Sequence, residues 1–266
     1  MIIDSSGTDV YSHLAYEEIL MEEVSGPVLM LWQSNCAVVI GKNQNPWVEC
    51  RLKSMELDGV PLARRCSGGG TVYHDEGNLN YCIITDREKY KQADAFEVLL
   101  RALKEVDVNA SIACKSNIVV DNKKISGTAF AFRKNRVLHH GTLLLNADLS
   151  KLDKYLGSDF SSIKTNAVAS VPAKVTNINI SINEMKTAFC SAFKQQYGFN
   201  RDVINLNENL IKERLKKIKS DAWIWGNTPR FSIELNGKVI DVNKNLPLNA
   251  INIRPYIYNI DKFFTH

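Results

Sequence analysis

The chain has 266 residues, 45% of them hydrophobic and 23% charged, with 33 Lys and Arg against 29 Asp and Glu. That composition is ordinary for a soluble globular protein, and the length suits one large domain, alone or with a small appendage. The net charge of +4 is too mild to argue for nucleic acid, although it suits an acidic partner surface, and no apolar run approaches the ~20 residues of a membrane-spanning helix.

Tyr16, Ile19, Leu20 and Val24 recur at helical spacing and predict a helix over 11–24, ended by Gly26-Pro27. Residues 28–32 and 37–40 read as two buried strands joined through Ser34-Asn35 in a hairpin. Asn45 is placed to cap a helix that starts at Pro46, runs to about Asp58 and closes at Gly59. Residues 78–84 form another strand, and Phe96, Leu99, Leu100, Leu103 and Val106 stripe a helix over 94–106. Residues 118–120 and 124–125 flank a tight turn at Asp121-Asn122-Lys123, and 137–145 is a long strand carrying His139-His140. Ser181-Ile182-Asn183-Glu184 has the capping-box pattern ahead of Met185, Ala188, Phe189 and Phe193. Leu210, Ile211, Leu215 and Ile218 mark a last helix, and its Lys212, Lys216, Lys217 and Lys219 read most simply as a solvated face. A strand pair around Asn236-Gly237 and an Asn-rich, irregular tail follow. Mixed elements with hairpins dominating predict an α+β fold on a mostly antiparallel sheet.

The stretch the rest is organised around is Arg64-Arg65-Cys66-Ser67-Gly68-Gly69-Gly70-Thr71-Val72-Tyr73-His74-Asp75. Glycine accepts positive φ and puts no side chain between backbone and ligand. Exposed N–H groups in such a turn form an anion-binding concavity, and arginine adds a planar donor fork suited to phosphate or carboxylate. The stretch reads as an anionic-ligand loop, with a plain flexible turn as the alternative. Lys124 is either a surface turn lysine or an amine that holds an anionic centre during acyl transfer. Asp121 and Asp75 are metal-ligand candidates, with ordinary turn chemistry as the alternative. His74 and His140 are candidate acid–base or phosphate-contact groups, and His139 should face the opposite side of its strand. Cys66 has no evident base, and no Ser-His-Asp pattern or zinc spacing stands out. The six cysteines lack any C-x-x-C and read as reduced thiols of an intracellular protein. Cytoplasm is the default expectation. The mitochondrial matrix is the alternative, because a removed presequence would leave the same chain.

With these segments placed, the chain resembles the lipoate–protein ligase and lipoyltransferase family. The matching stretches are residues 39–47 (Val39 to Trp47), the whole 64–75 loop with Gly77-Asn78, Lys124-Ile125-Ser126-Gly127-Thr128-Ala129, His139-His140-Gly141-Thr142-Leu143-Leu144 and Ser170-Val171-Pro172. They run in the family's order through roughly residues 10–200. The resemblance implies a mixed sheet with flanking helices, shared with biotin protein ligases. It implies that lipoate or octanoate is joined to AMP from ATP with Mg2+, and that the acyl group of lipoyl-AMP then passes to a lysine of an acceptor domain. Arg65 and the Gly70-Thr71-Val72-Tyr73 backbone would hold the nucleotide phosphates. Lys124 would contact both the acyl carbonyl and the α-phosphate. Ser67, Gly68, Gly69, His74, Asn78 and His140 would line the lipoate pocket, and Asp121 is left as a metal candidate. The implied acceptors are the lipoyl domains of 2-oxoacid dehydrogenase acyltransferase subunits and the glycine cleavage H protein, with no nucleic acid or membrane partner.

Three departures carry consequences. Ser116-Asn117 stands where many members have Asn-Asp, and Cys66 replaces a common arginine, which removes a positive charge beside the loop. The stretch 223–229 resembles the entry to the family's small C-terminal domain, but fewer than forty residues follow it. The expected division is a catalytic domain over 1–222 and a shortened accessory remnant over 223–266. A separate accessory chain, or transfer from preformed lipoyl-AMP or a protein-bound donor, is the alternative to a self-sufficient ligase. A non-catalytic binder of lipoyl domains is the reading from another class, and intact Arg65, Lys124 and glycines argue against it.

Overall fold

Asp9 accepts from the Ser12 amide and so caps a first helix whose two long faces both meet protein. The structure is a computed structural model that describes residues 1–114, 116–198, 206–235 and 238–242. In chain order its elements are β1 (Ile2–Asp4), α1 (Val10–Glu23), β2 (Val28–Trp32), β3 (Ala37–Ile40), α2 (Pro46–Glu49), α3 (Leu52–Leu57), β4 (Leu62–Arg64), β5 (Val72–His74) and β6 (Asn78–Asp86). Then come α4 (Gln92–Glu105), β7 (Ser111–Ala113), β8 (Asn117–Val120), β9 (Lys123–Arg133), β10 (Arg136–Leu144), α5 (Ser150–Tyr155) and β11 (Ile163–Thr165). The last are α6 (Ile182–Tyr197), α7 (Glu208–Lys219), α8 (Asp221–Ile224), β12 (Phe231–Leu235) and β13 (Lys238–Val242).

The main sheet runs β1-β2-β6-β10-β9-β8-β7, antiparallel throughout except for the β1–β2 pair. Alternation along β6 divides the core. Leu79, Tyr81 and Ile83 face α4 and α6, while Cys82 and Ile84 face α1. The second sheet, β4-β3-β5, is likewise split: Ala37 and Val39 of β3 join the α1 cluster, and Val38 and Ile40 join a third cluster with Trp47, Tyr155 and Trp225. This is the α+β, mostly antiparallel architecture that the pattern predicts.

Two local expectations fail. Residues 28–32 and 37–40 do not pair as a hairpin: β2 pairs with β1 and β6, and β3 pairs with β4 and β5 in the other sheet. Every residue of both strands is buried, so neither has the alternation that would name its partner. The single helix expected over 46–58 is two. Asn45 does cap it through the Trp47 amide, but Cys50 is extended and bridged to Leu156, and the Arg51 amide donates to the Tyr155 carbonyl. The turn before β9 is also tighter than expected, with only Asp121 and Asn122 at positive φ and Lys123 already in the strand.

The basic face of α7 is only partly solvated. Lys217 reaches the buried carboxylate of Glu18 at 3.0 Å and lies 4.2 Å above the Trp223 ring, and Lys219 reaches Asp9 at 3.3 Å. Residue 222 falls inside α8, and β12 pairs with both β11 and β13. The Asn236-Gly237 turn and the Asn-rich tail lie outside the described residues.

Candidate active site

Register across the main sheet lays a row of side chains on the α1 face. Gly127 of β9 opposes Thr142 of β10, Thr142 opposes Asn80 of β6, and Asn80 opposes Trp32 of β2. Three strand spacings of ~4.8 Å make that row about 14 Å long. It floors a cavity of about 620 Å3, roofed by the glycine loop and by residues 168–174, with Leu14 and Glu17 of α1 at the Trp32 end.

At the Gly127 end stands Lys124. A β-carbon on Gly127 would lie 2.8 Å from the Lys124 Nζ, so the glycine makes the room that the ammonium occupies. Burial and, second, the positive charge of Arg65 hold the Lys124 pKa below its ordinary value. Lys124 and the loop residues Gly69 and Gly70, far apart in sequence, line the same cavity.

Arg65 is buried and braces the loop from inside. Its Nη2 donates to the carbonyls of Gly68 at 2.6 Å and Gly70 at 2.7 Å, its Nη1 to that of Val39, and its Nε to Ser67 Oγ. Burial lowers its pKa to about 10, which leaves it charged at neutral pH. Of the three loop glycines only Gly69 has a positive φ, +84°. Gly41 lies tight against the loop, where a β-carbon would meet the Gly69 carbonyl oxygen at 2.3 Å.

The strap of residues 166–176 crosses the loop and is tied at both ends. Val168 donates to the Asn43 carbonyl, while the Lys124 amide donates to Lys174 and the Lys124 carbonyl accepts from Thr176. Between these ties Ser170 Oγ donates to Glu49 and accepts from Gln44 Nε2 at 3.0 Å and from the Thr71 amide at 2.8 Å. One N–H of the expected phosphate cradle thus already meets a hydroxyl oxygen. Tyr73 turns away from the cavity, packing on Tyr155 and donating to Cys36 Sγ.

A serine–histidine–carboxylate chain exists after all, contrary to the sequence expectation. Ser67 Oγ lies 2.6 Å from His140 Nε2, and His140 Nδ1 lies 2.6 Å from Glu17 Oε2. Donors at both ends set its polarity: Arg65 Nε donates to Ser67, and Trp32 Nε1 donates to Glu17 Oε1 at 3.2 Å. His140 is thereby held as a wall of the cavity in one orientation. Glu17 escaped the sequence reading because an acid in an amphipathic pattern reads as solvated. The signal available was its place in a helix buried on both faces.

The other candidates separate cleanly. His74 lines the cavity, as does Asn80, which the sequence did not single out; Asn78, expected in the pocket, is buried outside the lining and donates to the Tyr73 carbonyl. His139 faces the opposite side, stacked on Phe130 at 4.5 Å. Cys66 is buried, and burial pushes its thiol up to about 12, which removes it as a nucleophile. Asp75 spends its carboxylate on the amides of Gly77 and Asp148, and Asp121 is exposed on its turn, outside the lining.

The family profile described as the lipoyl protein ligase A/B catalytic domain matches residues 9–194. The chain belongs to that family. Among curated relatives, lipoate-protein ligase A of Psychrobacter cryohalolentis is 36% identical over 94% of this chain and 80% of its own length. The human mitochondrial lipoyl amidotransferase LIPT1 is 33% identical over 98% of this chain and 76% of its own. Among solved structures, P. falciparum LipL1 in complex with lipoate superposes with a TM-score of 0.75 at 28% identity, over 91% of this chain and 79% of that one. A lipoate-protein ligase A bound with ATP superposes with a TM-score of 0.70 at 28% identity, over 84% and 96%. The matched span contains the whole sheet row, Lys124 and the glycine loop.

Proposed function

We propose that this member of the family activates lipoate or octanoate with ATP and passes the acyl group of lipoyl-AMP to a lysine of a lipoyl-acceptor domain. The observation that carries the reading is that Lys124, Arg65 and the glycine loop line one cavity whose floor runs about 14 Å from Gly127 to Trp32, at ~4.8 Å per strand. An aliphatic acid laid along that row puts its carboxyl group beside Lys124.

In the first step a carboxylate oxygen bonds to the α-phosphorus and pyrophosphate leaves. In the second, an acceptor amine bonds to the acyl carbon, AMP leaves and the amine proton goes to solvent. In both, negative charge grows on oxygens beside Lys124, and a half-desolvated ammonium opposes it more strongly than one in water. Arg65 adds charge and holds the loop rigid. The Lys124 pKa is shifted down by burial, so acceptor modification should fall on the alkaline side at a lower pH than an ordinary lysine would give.

Among the described residues, any magnesium ion would rest mainly on the nucleotide phosphates. The cavity lining carries one carboxylate, Glu17, already engaged by His140 and Trp32, and no group of three His, Cys, Asp or Glu side chains could hold a metal among the described residues.

A second reading is transfer from preformed lipoyl-AMP or a protein-bound donor without ATP. It is favoured by the human amidotransferase, whose match spans 98% of this chain. The two separate in one assay: lipoate, ATP, magnesium and an apo acceptor domain, against lipoyl-AMP and the acceptor alone. Modification in both supports the ligase, and modification only from lipoyl-AMP or a protein-bound donor supports the transferase. Lys124→Ala should abolish modification in either mode while its melting curve stays near the parent's. Near-normal turnover in that variant would sink the role assigned to Lys124. The acceptors are read as the lipoyl domains of 2-oxoacid dehydrogenases and the glycine cleavage H protein. Residues from 223 on are read as the entry to an accessory segment, and the compartment as cytoplasm or, like the human relative, the mitochondrion.

A further inference from the structure

The end of the slot far from Lys124 is not a plain hydrocarbon pocket. Asn80 is 1% exposed and His74 is 3% exposed. Both line the cavity, yet neither the Asn80 amide group nor either ring nitrogen of His74 has a hydrogen-bond partner among the described residues. Asn80 shares the floor with Trp32, and His74 stands edge-on to the Trp32 ring at 5.4 Å. Most buried polar groups are partnered, because leaving one unmade forfeits its hydration. Four orphaned polar atoms at the Trp32 end of one cavity, two of them hydrogen-bond donors, mark a place where an accepting ligand atom would meet the donors. Burial drives the His74 pKa down to about 3, so the ring enters as a neutral group with one donor and one acceptor.

We propose that Asn80, with His74 beside it, makes the Trp32 end a subsite for an acyl chain ending in sulfur, so that the protein selects lipoate over octanoate. The inference rests on the slot being the acyl site. A methyl-ended chain offers nothing to the two donors among them, the Asn80 amide and the imidazole N–H. The dithiolane of lipoate instead brings two polarisable sulfurs, which accept weakly from the Asn80 amide and the imidazole N–H. Sulfur also sits well against an aromatic ring, and Trp32 and His74 supply two. Asn80 is therefore a specificity residue, distant from the charges at Lys124 and outside the expected lipoate pocket set.

Calorimetric titration of the full chain with (R)-lipoate, octanoate and 6-thiaoctanoate tests it. The parent should bind lipoate at least about tenfold more tightly than octanoate, with the thia-acid between them. Asn80→Leu should bring lipoate and octanoate within about threefold of each other by weakening lipoate alone, because an apolar side chain of similar size no longer rewards the sulfur. Equal binding of the three acids by the parent, or an undiminished preference in Asn80→Leu, would overturn the subsite and leave the acyl slot standing. Should the variant not fold, the thia-acid comparison on the parent decides alone. Binding of none of the acids would end the acyl slot and this inference together.

Discussion

A β-carbon on Gly127 would crowd Lys124 Nζ at 2.8 Å and Cε at 2.9 Å, both at the free end of a flexible side chain. Gly127→Ala should therefore fold with a stability change under about 1 kcal/mol, since the lysine can swing aside. It should nevertheless lose roughly a hundredfold in acceptor modification, because a displacement of ~1 Å at the reacting centre is that costly. Melting curves and turnover measured together check this, and a parallel loss of both would refute it. The histidines supply a second residue-scale expectation. His74 and His139 are both pushed down to about 3 by burial, from an ordinary value of 6.5. Above pH 6.5 they are neutral folded or unfolded. As pH falls from 6.5 toward 3 the unfolded chain gains protons that the folded chain refuses, so stability drops by up to about 1.4 kcal/mol per pH unit for each. His139→Phe, set among Phe130, Phe96 and Tyr81, should remove one such contribution from denaturant titrations at pH 4–7. Lys124 and Arg65 were legible because their neighbours form ordered motifs. Glu17, Trp32 and Asn80 were not, since each sits in a segment that local pattern assigns to packing.

At the scale of elements, periodicity served where one face is wet. The stripe of α4 and the capping box of α6 lie where they were expected, with the Ser181 hydroxyl accepting from the Glu184 amide. Pairing of wholly buried strands was not legible, because β2 and β3 carry no polar face to set a partner or register. The break between α2 and α3 was hidden for a related reason: Leu156, more than a hundred residues away, pulls Cys50 into a bridge that no local propensity encodes. The strap over the glycine loop is also a tertiary product. Its irregular backbone is specified by Asn43, Gln44 and Glu49 from one side and by Lys124 from the other. The strand that carries Lys124 thus fixes part of the roof over the cavity.

The whole molecule is joined by two buried charge systems. Glu18, 1% exposed, gathers Arg214 at 2.9 Å and Lys217 at 3.0 Å, which docks α7 on α1. Arg64, wholly buried, donates to the carbonyls of Gly41, Lys42 and Gln44 on one side, and to the Ile224 carbonyl and Thr228 Oγ1 on the other. Its own carbonyl accepts from Trp223 Nε1 at 2.7 Å. Arg64→Met would leave several buried acceptors unmade, at about 1–3 kcal/mol each, so a loss of at least about 3 kcal/mol is expected in denaturant unfolding. Arg64→Lys should recover little of it, because a single ammonium cannot reproduce the planar fork. A loss below about 1 kcal/mol in Arg64→Met would show that these bonds are replaced by solvent.

That one guanidinium is shared between residues 41–44 and residues 224–228 makes the two segments thermodynamic neighbours. Gly41 touches the glycine loop, so a body that grips or releases the 224–228 segment changes the free energy of the turn over the slot. Reciprocity then requires that whatever fills the slot alters, by an equal amount, how firmly that distant segment can be held.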